Sequence, residues 1–309
     1  MLSAFFLALC AVVILWAGSA HSQGLVILAK KVPGDLPVDA ADKAWAETLP
    51  VDVPLSAQVM TMPRIYETSV ENLSVKAVHN SREIAFLMQW EDKTIDDLMD
   101  LDRFSDAVAL EFPSAGDEAK PHFAMGDEEN TVNIWYWKAD WQTRKRPAPA
   151  NMTEYTPRFY TTEEKVLVDD FEPGVLAGNP VSKPSRPAVE NIVAKGFGSA
   201  TDMESSENQN LEGSGAWQAD RWSVVIRRAL QSDNRYDVSF REGGVTPVSF
   251  AVWDGSEGHR GGSKAVSTWY YVGLETEERA ATYILPVFAL IVAAGIEGGI
   301  ILWIRKRRG

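Results

Sequence analysis

Eight short segments rich in β-branched and aromatic residues, each bounded by turn formers, set the tightest limit on what this chain can become. They run over Leu73–His79, Glu83–Trp90, Asp106–Phe112, Thr131–Lys138, Trp222–Leu230, Tyr236–Phe240, Thr246–Trp253 and Ala265–Leu274. Asn80-Ser81-Arg82 joins the first two with the length and composition of a tight hairpin turn. No long stretch keeps a helical period, although Asp96–Arg103 predicts a short acidic helix. Many short strands with few helices predict an all-β domain, a sandwich or a barrel. Between Thr143 and Gly215 the character changes, with Pro147, Pro149, Pro157, Pro173, Pro180, Pro184 and Pro187 among scattered Gly, Ser and Asn. That stretch predicts ordered loops over one end of the domain, because so long a connection inside a compact domain usually serves a function.

The ends read differently. Leu2 to Ala17 is almost wholly apolar and gives way to Gly18-Ser19-Ala20-His21-Ser22-Gln23, the pattern of a secretory signal peptide over residues 1–22. An uncleaved anchor is the alternative, since no Lys or Arg precedes the apolar run. Tyr283 to Ile304 is a second apolar run, of 22 residues; as a helix rising about 1.5 Å per residue it would cross a ~30 Å hydrocarbon core. Arg305-Lys306-Arg307-Arg308 follows at once, and positive residues stay in the cytoplasm. The expectation is a single-pass protein with residues 23–280 on the extracytoplasmic (periplasmic) face of the cytoplasmic membrane, a transmembrane helix at 283–304 and a basic cytoplasmic tail at 305–309. Gly295 and Gly299 flank Glu297 within that helix, a surface suited to docking on another membrane subunit.

Cys10 is the only cysteine and lies inside the signal, so disulfides, cysteine-ligated Fe–S clusters, tetra-cysteine zinc and covalently attached c-type haem are excluded from the exported part. With 43 acidic against 30 basic residues the chain carries a net charge of −13, a poor match for nucleic acid. Such a surface would attract a basic soluble partner, or simply keep the domain well solvated.

Two segments carry a resemblance. Pro121-His122-Phe123-Ala124-Met125-Gly126 is followed by Val132-Asn133-Ile134-Trp135-Tyr136-Trp137-Lys138-Ala139-Asp140-Trp141. Later come Pro247-Val248-Ser249-Phe250-Ala251-Val252-Trp253-Asp254-Gly255 and Arg260-Gly261-Gly262-Ser263-Lys264-Ala265-Val266-Ser267-Thr268-Trp269-Tyr270. Together with Asp39-Ala40-Ala41-Asp42-Lys43-Ala44-Trp45, these resemble the haem-binding gamma subunits of type II DMSO-reductase-family molybdoenzymes, such as that of ethylbenzene dehydrogenase, over about Val38 to Glu275. The resemblance implies an antiparallel β-sandwich with long loops over a haem pocket. One haem b would sit there between a methionine and a lysine, by position Met125 and Lys264. It also implies a molybdenum catalytic subunit and an Fe–S subunit as partners, with this chain as a relay to an external carrier such as a basic soluble cytochrome. Known members are typically soluble; the terminal helix departs from them and is similar instead to the membrane-bound nitrite oxidoreductase and nitrate reductase complexes.

Each of these residues also has a plainer reading. Met125 would suit ordinary core packing and Lys264 a solvated Gly-rich hairpin. As ligands, a thioether is soft and favours ferrous iron, and a lysine binds metal only as the neutral amine, which burial promotes. His122 and His259 are the replacement ligands, whereas His21 belongs with the signal and His79 is expected at the surface. The many tryptophans (Trp135, Trp137, Trp141, Trp217, Trp222, Trp253, Trp269) predict sandwich core, with one or two walling a flat macrocycle. They would equally suit the groove of a haem-free, membrane-anchored carbohydrate-binding module. No Gly-x-Ser-x-Gly, His-Glu-x-x-His or phosphate loop is present, so no catalytic set is expected; the carboxylates could bind calcium, but without EF-hand spacing.

Overall fold

In the computed structural model the described residues are 26–99, 102–114, 121–123, 125–143, 187–202 and 209–276. The chain divides into two compact units, Met1–Leu274 and Glu275–Gly309, and the strands among the described residues belong to the first. The expected signal at 1–22, the helix at 283–304 with Glu297 and the tail at 305–309 lie outside the described residues. Among those described, no helix is long and apolar enough to cross a membrane.

The strands are β1 (Val26–Lys31), β2 (Val51–Pro54), β3 (Ser56–Ala57), β4 (Asn72–His79), β5 (Glu83–Glu91), β6 (Ala107–Pro113), β7 (Val132–Lys138), β8 (Val189–Ala194), β9 (Thr201–Asp202), β10 (Glu212–Trp217), β11 (Arg221–Ala229), β12 (Val245–Trp253), β13 (Ala265–Val266) and β14 (Tyr270–Leu274). Among the described residues a 3-10 turn at Lys43–Trp45 and one short helix, α1 (Ala139–Thr143), accompany the strands. The hydrogen-bonded path runs β10-β11-β5-β4-β1-β14-β12-β6-β7-β8-β9.

The path folds back on itself at β12. Val245–Val248 pair with β14, while Ser249–Trp253 pair with β6. Pro247, which has no N–H to donate, sits close to this change of partner, where a strand interior tolerates it. The two layers meet through aromatic rings on strands that are not neighbours in the path. Phe86 of β5 lies 6.0 Å from Trp135 of β7 and 6.1 Å from Phe112 of β6, and Trp90 lies 6.5 Å from Trp137. Alternation explains the placement: Val108, Leu110 and Phe112 of β6 and Trp135 and Trp137 of β7 enter this core, while Ala107, Ala109, Ile134 and Tyr136 face the other way. That outer face is not left to solvent, since Ala107, Ala109 and Ile134 are buried there too; loops roof it.

Gly215 of β10 illustrates how tightly the layers close. A Cβ there would overlap the Trp137 ring, and the Gly215 N–H and C=O both pair with Gln142 of α1, at 2.6 and 2.5 Å. Gln142 also accepts from Trp137 Nε1 at 3.0 Å. Overpacking such a site costs about 1–3 kcal/mol. Gly215→Ala should therefore lower Tm by about 2–10 °C; an unchanged unfolding curve would show that the ring moves aside freely.

Several expectations need correction. The sheet is mixed rather than purely antiparallel, because β1 runs parallel to both β4 and β14. Tyr236–Phe240 is a turn, held by Asp237 N to Asn234 O and Phe240 N to Leu230 O. Ala265–Leu274 is two strands that belong to different pairings. The described part of Asp96–Arg103 is not helical, since Asp96 bonds the Asp106 carboxylate through its N–H and the Asp106 N–H through its carbonyl. The proline-rich stretch contributes β8, β9 and β10 to the sheet, its residues 144–186 and 203–208 lying outside the described set. His79 is fully buried instead of exposed, its Nδ1 accepting from Ser81 N at 3.3 Å.

Candidate functional site

The outward face of β6, β7, β8 and β12 forms the floor of a cavity of about 520 Å³. Ala109, Ile134, Tyr136, Ile192, Ala251 and Trp253 supply that floor, all from the alternate positions that the core does not use. The size falls within the range of small-molecule and cofactor sites. Trp253 and Tyr136 meet edge to face at 5.2 Å, which fixes both rings without filling the space above them.

Met125 borders the cavity from the loop that precedes β7. Its φ of +67° is a conformation that side-chain-bearing residues rarely adopt and that costs about 1–3 kcal/mol. Three backbone bonds hold it there: Met125 N donates to Glu111 Oε2 at 2.8 Å, Gly196 N donates to Met125 O at 2.7 Å, and Gly126 N donates to His122 O at 3.1 Å. Trp269 Nε1 bonds Pro121 O and Ser249 Oγ bonds Phe123 O, so the loop is stapled at its start as well. Gly126 follows with φ +75°, and any Cβ there would crowd the Asn130 carbonyl.

Lys264 borders the same cavity from the Gly-rich turn before β13. It is 5% exposed, and its Nζ has no hydrogen bond or ion pair among the described residues. The amine instead lies over two rings, 4.9 Å from Trp253 and 5.8 Å from Phe197. Gln58, fully buried, fastens this turn by donating to Gly262 O at 2.6 Å and to Thr61 O at 3.1 Å, and Trp253 Nε1 bonds Gly261 O. Burial pulls the Lys264 pKa down, opposed by the Glu111 charge. Burial likewise pushes Glu111 up, opposed by Lys264, and Glu111 Oε1 has no hydrogen-bond partner.

The structure thus brings Met125 and Lys264 to one cavity and leaves the two histidines elsewhere. His122 is exposed and stacks on Phe123 at 4.7 Å. His259 is buried in the turn after β12, where its Nδ1 accepts from Asp254 N at 3.2 Å. Trp253 is the one tryptophan among the cavity's described lining; Trp135, Trp137 and Trp222 are core, and Trp269 holds the methionine loop. Glu111, Tyr136 and Phe197 were not foreseen. For Glu111 the signal was present, as a lone acid in the apolar strand Ala107-Val108-Ala109-Leu110-Glu111-Phe112.

The family model described as ethylbenzene dehydrogenase matches residues 42–265, which span the floor, the methionine loop and the lysine turn together. The chain belongs to the ethylbenzene dehydrogenase family. It is 28% identical over 238 residues to a protein of Haloferax mediterranei named as a respiratory nitrate reductase heme subunit, covering 77% of this chain and 68% of that one. It is 27% identical over 257 residues to the chlorate reductase subunit gamma of Ideonella dechloratans, covering 81% and 87%. Among solved structures, a family 9 carbohydrate-binding module from Caldicellulosiruptor kristjanssonii, in complex with cellotriose, overlays with a TM-score of 0.40 at 8% identity, over 83% of this chain and 96% of that one, too loosely to bear on ligands.

Proposed function

We propose that this family member is the non-catalytic electron-transfer subunit of a multi-subunit molybdoenzyme, and that its cavity holds one haem b with Met125 and Lys264 as the iron ligands. The observation that carries the reading is the convergence of a thioether and an unpaired buried amine, far apart in sequence, on one apolar cavity. A buried polar atom without a partner is expensive, and Glu111 Oε1 is in that position beside an amine, Lys264 Nζ, whose contacts are two ring faces. A bound haem would supply one-electron chemistry.

The residues of the chain would do the rest. Met125, with its backbone held at a positive φ, would offer a soft sulfur, a ligand type that favours ferrous iron and a higher potential. Lys264 is already drawn toward the neutral amine by burial, so giving up its proton to bind metal costs less than at a surface. The floor of Ile134, Tyr136, Ile192 and Trp253 would keep water from the site. A sugar groove would need aromatic faces open to solvent with polar partners around them, whereas Trp253 is 8% exposed and shares its surroundings with apolar side chains and an ammonium.

The relatives' names, a nitrate reductase heme subunit and a chlorate reductase subunit gamma, support a place as one subunit of a larger reductase, whose other members in this proposal are a molybdenum catalytic subunit and an Fe–S subunit. Export to the periplasmic face and anchoring through residues 283–304 belong to the same proposal. The full chain, produced with haem available, should show sharp reduced b-type bands after dithionite and release one haem per chain into acidified acetone. Colourless but folded protein would overturn the reading.

A further inference from the structure

A second constellation lies apart from the cavity. Asp92 directly follows β5, Asp106 directly precedes β6 and Asp254 directly follows β12. All three are buried, at 5%, 0% and 5% exposure, and one carboxylate oxygen from each lies within 4.8 Å of one from each of the others. No Lys or Arg forms an ion pair with any of them among the described residues. His259 stands beside Asp254, but burial pulls its pKa down and its Nδ1 is used as an acceptor, so it brings no fixed countercharge.

Hydrogen bonds orient the three groups without neutralising them. Asp106 accepts from Gly255 N at 2.8 Å, Asp96 N at 2.8 Å and Trp222 Nε1 at 2.9 Å. Asp254 accepts from Ser69 Oγ, and from Ser256 N and Oγ at 2.9 and 2.7 Å. Asp92 accepts from Thr94 N and Oγ1 at Oδ1 alone; its Oδ2 is buried with no partner, and Trp90 Nε1 is buried with no acceptor. Asp92 Oδ2 and Trp90 Nε1, two buried atoms left without a partner, thus both belong to this site, where the Trp90 indole eases the Asp92 charge only weakly against burial. Burial pushes Asp92 up to about 6 and Asp106 up to about 8, with a neighbouring aspartate raising each further. Gly255 closes the site so tightly that any Cβ would overlap the Phe104 carbonyl and Asp96.

We propose that Asp92, Asp106 and Asp254 bind one calcium ion that ties the ends of β5, β6 and β12 together. The donors are all oxygen, with no thiolate and with the neighbouring imidazole already engaged through Nδ1, which disfavours zinc. They come from three separate loops, an arrangement that suits the variable coordination of calcium better than the strict octahedron of magnesium. Two of the tied strands, β6 and β12, carry Ala109, Glu111, Ala251 and Trp253 of the cavity floor, so the ion would brace the floor from its end.

The test uses the full chain, stripped with EGTA and then titrated with CaCl2, with MgCl2 in parallel. Bound metal and the thermal midpoint are read, neither of which depends on haem content. Wild type should bind one calcium per chain and gain about 5–10 °C once calcium is a hundredfold above its Kd. Asp92→Asn, which keeps shape and the Thr94 contacts, should lose that response and be no less stable than wild type in EGTA, because a buried uncompensated charge has gone. Wild type that binds no calcium and melts at the same temperature in EGTA and CaCl2 would overturn the site and leave Trp90 as the partner of Asp92. An equal response to magnesium would overturn the assignment to calcium. Should Asp92→Asn fail to fold, Asp254→Asn and the wild-type titration decide the matter.

Discussion

Lys264→Leu should strip the domain of its haem while leaving the fold intact. The amine is the one basic group bordering the cavity's described lining that has no hydrogen bond to hold it. Its replacement removes a buried polar group whose contacts are two ring faces and the opposing charge of Glu111. Buried polar groups of this kind cost about 1–3 kcal/mol, so the haem-free variant should unfold at the same denaturant concentration as haem-free wild type or a higher one. Haem affinity should move the other way, falling by more than the roughly 10–100-fold that follows loss of groups merely supporting a metal ligand. The pair of measurements separates two roles. A lysine that only packs would leave the spectrum of the reduced protein unchanged on substitution. Met125→Leu is the companion: it keeps the side-chain volume and the positive φ but removes the sulfur, and should shift the reduced bands and lower the potential before it lowers haem content.

How much of this was legible beforehand depended on whether each feature left a local pattern. β4, β5, β6, β7, β11 and β12 announce themselves, since one face of each enters a continuous apolar core and the alternation survives in the sequence. β10 does not, because Gly213 and Gly215 are there to admit neighbouring chains and side chains, and both read as loop. β8 was hidden by the prolines before it, and Tyr236–Phe240 was misread because Asp237 is buried for a polar purpose that propensity does not encode. Met125 and Lys264 were named only through resemblance; nothing in their spacing predicts that a left-handed methionine and an unpaired lysine share a cavity. The three aspartates could not be foreseen, for they lie on separate strand ends and meet only once β5, β6 and β12 are aligned.

Asp237→Ala should be the most damaging substitution to stability, at about 3–5 kcal/mol. Arg228 and Asp237 are both wholly buried side chains, with Nη1 and Oδ1 3.5 Å apart. Burial pulls Arg228 down to about 10, partly countered by Asp237, so the guanidinium stays charged at neutral pH. It also donates to Val238 O and, at 3.1 Å, to Ala229 O, and lies 4.8 Å from the Trp135 ring centre. Asp237 in turn accepts from Asn191 at 2.8 Å, Asn210 at 2.9 Å and Ser232 at 2.6 Å. Removing the carboxylate leaves the buried guanidinium without its countercharge and takes an acceptor from Asn191, Asn210 and Ser232, a loss that an exposed surface pair such as Lys30–Glu47 does not incur. The midpoint of thermal unfolding should fall by about 6–20 °C. Asp237→Ala combined with Arg228→Met should recover much of it, because an apolar pair of similar volume is often as stable as a buried ion pair. If the double variant is no better than Asp237→Ala alone, the hydrogen bonds to Asn191, Asn210 and Ser232 matter more than the charge. The effect should reach the cavity as well: Asn191 sits beside Ile192 on β8 and Trp135 between Ile134 and Tyr136 on β7, so the network that fixes one face of these strands sets the position of the floor on the other.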